Sequence, residues 1–150
     1  MAQIDNAREN KERQRLFVGV LQDRGELDRV EEFVDPDVVD HSLPPGVPGG
    51  QEGVRVVLGA IRAGFPDHDA EVIHMVSEGD LVATYKTFTG TQTGDFFGIP
   101  ATGKKATIRV MDVVRYRDGL IVEHWNVVDF AGLQAQLSAP EQIPAMEAAP

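Results

Sequence analysis

The sequence predicts an α+β domain, in which a curved antiparallel sheet wraps around N-terminal helices and leaves a cavity. Two observations predict this fold. Apolar residues of the N-terminal half recur every three to four positions, the period of an amphipathic helix, whereas from Ala70 onward apolar and polar residues alternate as in a strand. The helical segments precede the strands instead of alternating with them, which is typical of an α+β fold.

Three helices are predicted before the strands begin. The first covers residues 6–25 and carries an apolar stripe that includes Leu16. A second, short helix ends at Pro36, because proline cannot continue the hydrogen bonds of a helix. The third runs from about residue 51 to residue 65, where apolar residues fit the spacing of one helical face.

Two predicted hairpins follow, separated by a glycine-rich connection at residues 91–105. Their strands cover residues 70–78, 81–90, 106–116 and 120–130. Upstream, residues 37–42 are predicted to be extended. A last helix at residues 131–137 completes a single domain, predicted to span residues 1–137. Residues 138–150 form a Pro/Ala-rich tail that we expect to be loosely ordered.

The composition argues against several classes of function. The chain has 150 residues, enough for one domain, and no cysteine, which removes disulfides, thiolate catalysis and cysteine metal sites. Its net charge of −10 argues against nucleic acid as a partner, because such a surface repels phosphates. A charged N-terminus and the lack of a long apolar run predict no membrane association and a cytoplasmic location. Neither H-x-H nor H-E-x-x-H occurs, so we expect no metal site and no cofactor.

The loop of the last hairpin decides which side chains face the cavity. A three-residue loop at residues 117–119 would pair Tyr116 with Leu120 and set Asp112 opposite His124. The inner face would then contain Ala106, Ile108, Val110, Asp112, Val114, Val122, His124, Asn126 and Val128. A two-residue loop would slip the register by one and exchange the faces. That register would gather three carboxylates on the inner face without a cation, which is costly.

The predicted inner face is apolar except for Asp112, His124 and Asn126. These groups either satisfy one another as a structural network or bind a ligand, and the neighbouring cavity favours a ligand. Asp112 is the candidate proton acceptor, because a carboxylate on an apolar wall suits a base that works near neutrality. His124 would orient Asp112, share its proton or bind a substrate oxygen. Asn126 would offer its amide to a developing enolate oxygen.

Four stretches of the sequence resemble the SnoaL-like polyketide cyclase family, within the nuclear-transport-factor-2-like superfamily. They read "VEEFVDPDVVDHS", "AGFPD", "SEGDLVATYKTFTGTQTGDFFGIPATGKK" and "RYRDGLIVEHWNVVDFAGLQAQL". The resemblance implies a cone-shaped barrel whose deep pocket is closed by the N-terminal helices, and a homodimer formed through the outer sheet face. It also implies ring closure by an intramolecular aldol step, with an aspartate as general acid/base, an assisting histidine and no metal.

The sequence departs from the family pattern where that chemistry takes place. The cyclase aspartate corresponds to Asn126 and the assisting histidine to Asp112. Asparagine cannot accept or deliver a proton in the working pH range. The family resemblance therefore does not by itself assign the family reaction to this chain.

Five further residues are candidates for substrate binding. The resemblance places His41 at the edge of the pocket. Tyr85 and Thr87 share one parity of their strand and would supply hydroxyls, although ordinary β-propensity also explains them. Val110 lies on the predicted inner wall, and Phe97, in the glycine-rich connection, would gate the pocket mouth.

Three functions fit these observations. The first is an enzyme that acts on a small apolar oxygenated molecule, such as a polyketide or terpenoid, by ring closure, isomerisation or hydration; Asp112 would be the base, and His124 and Asn126 would hold the oxygen. The second is a non-catalytic module that binds a hydrophobic small molecule. The third is a structural dimer with a vestigial pocket, for which Met111 and Trp125 supply apolar surface on the outer face.

Overall fold

The computed structural model describes residues 2–139, which form helices packed on one sheet. The helical segments are α1 (Ala2–Phe17), which continues as a π-helical turn (Val18–Asp23), a 3₁₀ helix (Leu27–Glu32), α2 (Gly50–Gly64) and α3 (Phe130–Ser138). The strands are β1 (Val34–Asp40), β2 (Asp69–Glu78), β3 (Leu81–Thr91), β4 (Lys105–Arg117) and β5 (Leu120–Val128). No helix within residues 2–139 is long and apolar enough to cross a membrane. The predicted C-terminal tail lies, from residue 140 onward, outside the described residues.

The strands form one mixed sheet in the order β1-β5-β4-β3-β2. β2 to β5 are the predicted antiparallel meander, but β1 pairs in parallel with β5. The prediction of a purely antiparallel sheet closed into a barrel is therefore wrong, because β1 and β2 remain as open edges. Parallel pairing requires a long crossover connection, and the chain between β1 and β5 supplies one.

The N-terminal region differs from the prediction at two points. Leu16, assigned to the apolar stripe, is 52% exposed, because the α-helix changes to a π-helical turn at Val18 and the buried positions shift in phase. The second helix ends at Glu32, and Pro36 lies inside β1. Proline is tolerated there because β1 is an edge strand, on which only one side is paired.

The β4–β5 hairpin has a shorter turn than predicted. Two residues, Asp118 and Gly119, form the turn with φ angles of +52° and +80°, and Arg117 pairs with Leu120. Positive φ at both central positions is typical of a type I′ turn. The predicted three-residue loop is therefore wrong, and the observed turn on its own would exchange the two faces of the hairpin.

A β-bulge in β5 reverses that exchange. Tyr116 pairs with Ile121, whereas the preceding residue Arg115 pairs with Glu123, so Val122 is an extra residue without a partner in β4. Beyond the bulge, the side chains of β5 return to the predicted faces. Next to the turn, Ile121 is buried instead of Val122.

The inner face of the sheet and the helices enclose two adjoining apolar clusters. The larger cluster contains Phe17, Val18, Val20, Leu21, Val30, Phe33, Val34, Val38, Leu58, Val82, Val114, Tyr116 and Ile121. The smaller one contains Phe65, Phe88, Phe96, Ala106, Ile108, Val110, Leu133 and Leu137. Residues of both clusters line the same cavity, which therefore lies where the two clusters meet.

Candidate active site

A cavity of about 110 Å³ lies between the inner face of the sheet, α2 and the loop before β4. Its apolar lining consists of Phe17, Val34, Val38, Val54, Val57, Leu58, Ile61, Phe88, Phe96, Phe97, Ile108, Val110, Val114, Ile121, Val128 and Phe130. Its polar lining consists of Gln22, Asp40, Lys86, Asp112, His124 and Asn126. A mostly apolar cavity with a few converging polar groups is the usual form of a small-molecule site.

The ring of His124, on β5, is oriented by the carboxylate of Asp40. Nδ1 of His124 lies 3.0 Å from Oδ2 of Asp40, at the end of the neighbouring strand β1. The other carboxylate oxygen accepts a hydrogen bond of 2.8 Å from the backbone N–H of Ser42. Burial raises the pKa of Asp40, but the bonds from His124 and Ser42 outweigh burial, so this pKa lies below its ordinary value. With Nδ1 as the donor to Asp40, Nε2 is left as the free acceptor of the ring.

Asp112 and Lys86 form a buried ion pair on the neighbouring strands β4 and β3. Asp112 is 4% exposed and Lys86 is 1% exposed, and Nζ of Lys86 donates a hydrogen bond to Oδ2 of Asp112. The same oxygen lies 3.9 Å from Nε2 of His124, beyond hydrogen-bonding distance but close enough to attract the ring when Nε2 carries a proton. Oδ1 of Asp112 is buried and has no hydrogen-bond partner within the described part of the chain.

Asn126 lies directly opposite Asp112, and His124 lies opposite Val114. The predicted pairing of Asp112 with His124 is therefore off by two residues. Because His124 and Asn126 are two residues apart on one strand, their side chains leave the same face, and both line the cavity. The backbone N–H of Asn126 donates to Oγ of Ser42 at 2.8 Å, which ties β5 to the segment after β1.

Of the predicted substrate-binding residues, Val110 and Phe97 line the cavity, but the other three lie away from it. Tyr85 and Thr87 point to the outer face of the sheet, because the alternate positions of β3 are the buried ones. His41 lies beyond the end of β1 and stacks on Trp125, whose ring centroid is 4.8 Å away, on the outer face. The predicted placement of His41, Tyr85 and Thr87 in the pocket is corrected accordingly.

Three polar residues of the cavity, Gln22, Asp40 and Lys86, were not predicted from the sequence. A signal for Lys86 was present, because it shares its strand parity with the apolar residues Val82 and Phe88, and that parity is the buried one. Asp40 gives no comparable signal. It reaches His124 only because β1 pairs with β5, and no local pattern predicts the pairing of such distant segments.

Aromatic side chains lie at the boundary between the cavity and solvent. Phe97 and Phe130 both line the cavity and are partly exposed. Their ring centroids are 6.2 Å apart, and both rings contact the buried Phe96 at 4.8 and 6.3 Å. Phe97 has a φ of +42°, a left-handed conformation that costs a non-glycine residue about 1–2 kcal/mol. The mouth of the cavity is therefore aromatic and conformationally strained.

The site combines a histidine with a free ring nitrogen, a carboxylate, a buried ammonium and an amide on an apolar wall. Such groups can accept and return one proton and can stabilise negative charge on an oxygen atom. Within residues 2–139, no group of three or more His, Cys, Asp or Glu side chains is arranged to hold a metal ion.

Comparison with known proteins finds similarity to polyketide cyclases. A family model described as SnoaL-like polyketide cyclase matches residues 11–137. Nogalonic acid methyl ester cyclase of Streptomyces nogalater is 28% identical over 118 residues, which cover 77% of this chain and 88% of the relative.

Solved structures show the same fold. TsrD from Streptomyces laurentii has a TM-score of 0.79 and 27% identity, with 88% of this chain and 96% of TsrD covered. IdmH from Streptomyces antibioticus has a TM-score of 0.75 and 34% identity, with 87% of this chain and 99% of IdmH covered. The residues matched by the family model, 11–137, include every strand and the residues that line the cavity.

Proposed function

Because the chain belongs to the SnoaL-like polyketide cyclase family, we propose that it is a cofactor-independent enzyme that performs acid/base chemistry on a small, mostly apolar, oxygenated molecule bound in the cavity. Ring closure by an intramolecular aldol step is the reaction that we test first. Isomerisation and hydration are the alternative reactions, because they also depend on proton transfer by an acid/base group.

The proposal rests on the position of the His124 ring and on its two carboxylate neighbours. One ring nitrogen is held by Asp40 at 3.0 Å, and the other faces Asp112 from 3.9 Å at the wall of an apolar cavity. A histidine oriented in this way suits a general base. Asp112 is less suited to that role than the sequence suggested, because the ammonium of Lys86 already occupies one of its oxygens.

In the proposed reaction, Nε2 of His124 removes a proton from the carbon next to a carbonyl, and the C–H electron pair moves onto the carbonyl oxygen. The enolate carbon then attacks a second carbonyl of the same molecule, forming a carbon–carbon bond. The resulting alkoxide takes the proton back from Nε2. Asp40 and Asp112 stabilise the imidazolium while it exists, and the amide of Asn126 donates to the developing oxygen charge.

The volume of the cavity bears on the size of the substrate. About 110 Å³ is less than the roughly 300–1,000 Å³ of typical small-molecule sites. We therefore propose that only the reacting end of a polyketide enters the cavity and that the remainder lies at the aromatic mouth, beside Phe97 and Phe130.

The first experiment uses nogalonic acid methyl ester, the compound that gives the relative its name. Incubation with the purified chain is expected to yield a ring-closed isomer, detected by chromatography and NMR. His124→Gln is expected to abolish the conversion. His74→Gln is the matched control, because His74 is exposed on the outer face of the sheet, stacked on Tyr85.

A second assay does not depend on the choice of this ester. Acetylacetone carries an acidic C–H between two carbonyls, and its exchange with D₂O, followed by NMR, reports proton removal alone. The wild type and His74→Gln are expected to accelerate the exchange, and His124→Gln is not. If compounds bind without conversion or exchange on long incubation, the chain is a binding module for hydrophobic molecules rather than an enzyme.

We also propose that the protein is a homodimer formed through the outer face of the sheet. Met111 and Val127 pair across β4 and β5 on that face and are 54% and 73% exposed. Exposed apolar side chains at the centre of a sheet favour burial against a partner. Light scattering at micromolar concentration is expected to show a dimer, Met111→Glu a monomer, and the control Leu16→Glu, on the helical side, a dimer. A monomeric wild type would contradict the proposal.

A further inference from the structure

Lys86 is the most deeply buried cation of the site. It lies on β3 with 1% of its surface exposed, lines the cavity, and points inward between Thr84 and Phe88. Its Nζ lies 5.9 Å from the ring centroid of Phe88. Lysine is almost never fully buried unless it is paired, because its charge loses hydration. A lysine in this position therefore requires a compensating role or partner.

Asp112 supplies one partner but leaves part of the hydrogen-bonding capacity unused. An ammonium has three N–H donors, and within residues 2–139 the side chain of Lys86 contacts one acceptor, Oδ2 of Asp112. Oδ1 of Asp112 is also buried and has no partner among the described residues. Donors of Lys86 and an acceptor of Asp112 thus remain unpaired in two residues that line the cavity, whereas a purely structural ion pair would be expected to be satisfied on all sides.

We propose that Lys86 is a further catalytic residue, whose ammonium binds the carbonyl oxygen that becomes the enolate, and that the substrates are neutral 1,3-dicarbonyl compounds. This inference rests on the proposed function. Asp112 acts as the fixed counterion of Lys86, and its free Oδ1 accepts a hydrogen bond from the enol or hydroxyl form of the second oxygen.

The charges of the site favour a neutral ligand. Lys86 contributes one positive charge and Asp40 and Asp112 two negative charges, so with neutral His124 the site already carries an excess negative charge. An anionic ligand would add to that excess. Proton transfer from a neutral ligand to His124 instead leaves the total charge unchanged, and both new charges have a partner: the imidazolium has Asp40, and the enolate has Lys86.

The test uses 4-nitrophenol, a neutral compound whose ionised form imitates an enolate and absorbs at a longer wavelength. The spectrum of the bound probe is recorded at a pH at which the free probe is neutral. Two variants are compared: Asp112→Asn, which retains Lys86, and the double variant Lys86→Met/Asp112→Asn, which differs from it only at Lys86. The double variant removes both buried charges, so it leaves neither of them unpaired. Circular dichroism verifies that both variants fold.

We expect the wild type and Asp112→Asn to bind the probe in ionised form, most strongly in Asp112→Asn, where no carboxylate competes for Lys86. The double variant is expected to bind the neutral form, with the ratio of ionised to neutral probe lowered by about ten- to a thousandfold. Equal ratios in the matched pair would overturn the role of Lys86. If either variant does not fold, the comparison is replaced by the ¹⁵N chemical shift of Nζ of Lys86 in the wild type. A change in this chemical shift on binding of the probe supports contact between Lys86 and the probe, and an unchanged chemical shift refutes it.

The substrate class is tested by competition. Acetylacetone is expected to displace 4-nitrophenol from the wild type at lower concentration than benzoate does, and the reverse order would overturn the preference for neutral ligands. Failure of this inference is distinct from failure of the proposed function, because binding of the probe requires no turnover. If acetylacetone protons exchange but the bound probe is not ionised, Lys86 is excluded from the mechanism and His124 remains the base. If the probe is ionised but no exchange occurs, Lys86 stabilises the anion and His124 is excluded as the base.

Discussion

Nδ1 of His124 lies 3.0 Å from Oδ2 of Asp40, across a pair of parallel strands that are distant in the chain. This contact holds the ring in the tautomer that leaves Nε2 free to accept a proton. We expect Asp40→Asn to reduce the rate of acetylacetone exchange by about 10²- to 10⁴-fold, because an amide also stabilises the opposite tautomer. Asp37→Asn, an exposed position of the same strand, is the control.

A purely structural role for Asp40 predicts a different result. If Asp40 positions His124, the pH–rate profile of Asp40→Asn shifts along the pH axis as well as falling in height. A variant that loses stability but keeps the wild-type rate and profile in its folded fraction would refute positioning.

The pKa of Asp40, which lies below its ordinary value of 3.8, links folding to acidity. A carboxyl whose pKa is lower in the folded state stabilises the fold above its unfolded pKa, and this contribution disappears as the pH falls through the folded pKa. The free energy of unfolding of the wild type should therefore decrease more steeply than that of Asp40→Asn as the pH falls below about 4. Urea titrations at several pH values measure both slopes, and parallel slopes would count against the link.

The ion pair of Lys86 and Asp112 predicts strongly non-additive mutations. Lys86→Met leaves a buried carboxylate without its partner, and we expect the free energy of unfolding to fall by about 3–5 kcal/mol. Lys86→Met/Asp112→Leu replaces both charges by apolar groups and should recover most of that loss. Denaturant unfolding of the wild type, both single variants and the double variant provides the comparison. A double variant as unstable as the sum of its parts would show that the two charges are not coupled.

Two glycines should respond in opposite ways to the same substitution. Gly119 has a φ of +80° in the β4–β5 turn, so Gly119→Ala should destabilise the protein by about 1 kcal/mol through backbone strain. Gly59, within α2, has no atom within 4 Å of an added Cβ, so Gly59→Ala should stabilise the protein by about 0.5–1 kcal/mol. Thermal unfolding measures both, and changes of the same sign would contradict the assigned conformations.

The order of helices and strands follows from the sequence alone, because each element repeats its apolar residues with its own period. The third predicted helix, residues 51–65, and the observed α2, Gly50–Gly64, differ by one residue at each end. Proline was a poorer guide, because Pro36 ends a helix in the prediction and lies in an edge strand in the structure. Local patterns specify conformation but not partners.

His68 shows again that local sequence does not specify the partners of a residue. His68 lies between two aspartates, a sequence context that predicts a solvated ring, yet it is buried. Its two ring nitrogens lie 2.9 and 2.6 Å from the backbone carbonyls of Phe65 and Gln22. The second of these carbonyls belongs to the π-helical turn, whose position relative to residue 68 is set by packing and not by the neighbouring residues.

Beyond the bulge at Val122, the sequence by itself determined which residues of the last hairpin share a face, since apolar alternation allows one assignment without a cluster of unpaired carboxylates. It did not determine the turn and the bulge that produce this arrangement of side chains. The observed turn is one residue shorter than predicted, and the bulge at Val122 inserts one residue into β5. Each change alone would exchange the faces, so together they restore the faces but shift the pairing of the strands by two residues. Only the tertiary structure decided the partners of the site, because Asp40 and Lys86 reach His124 and Asp112 through strand pairing between distant segments, which no local period encodes.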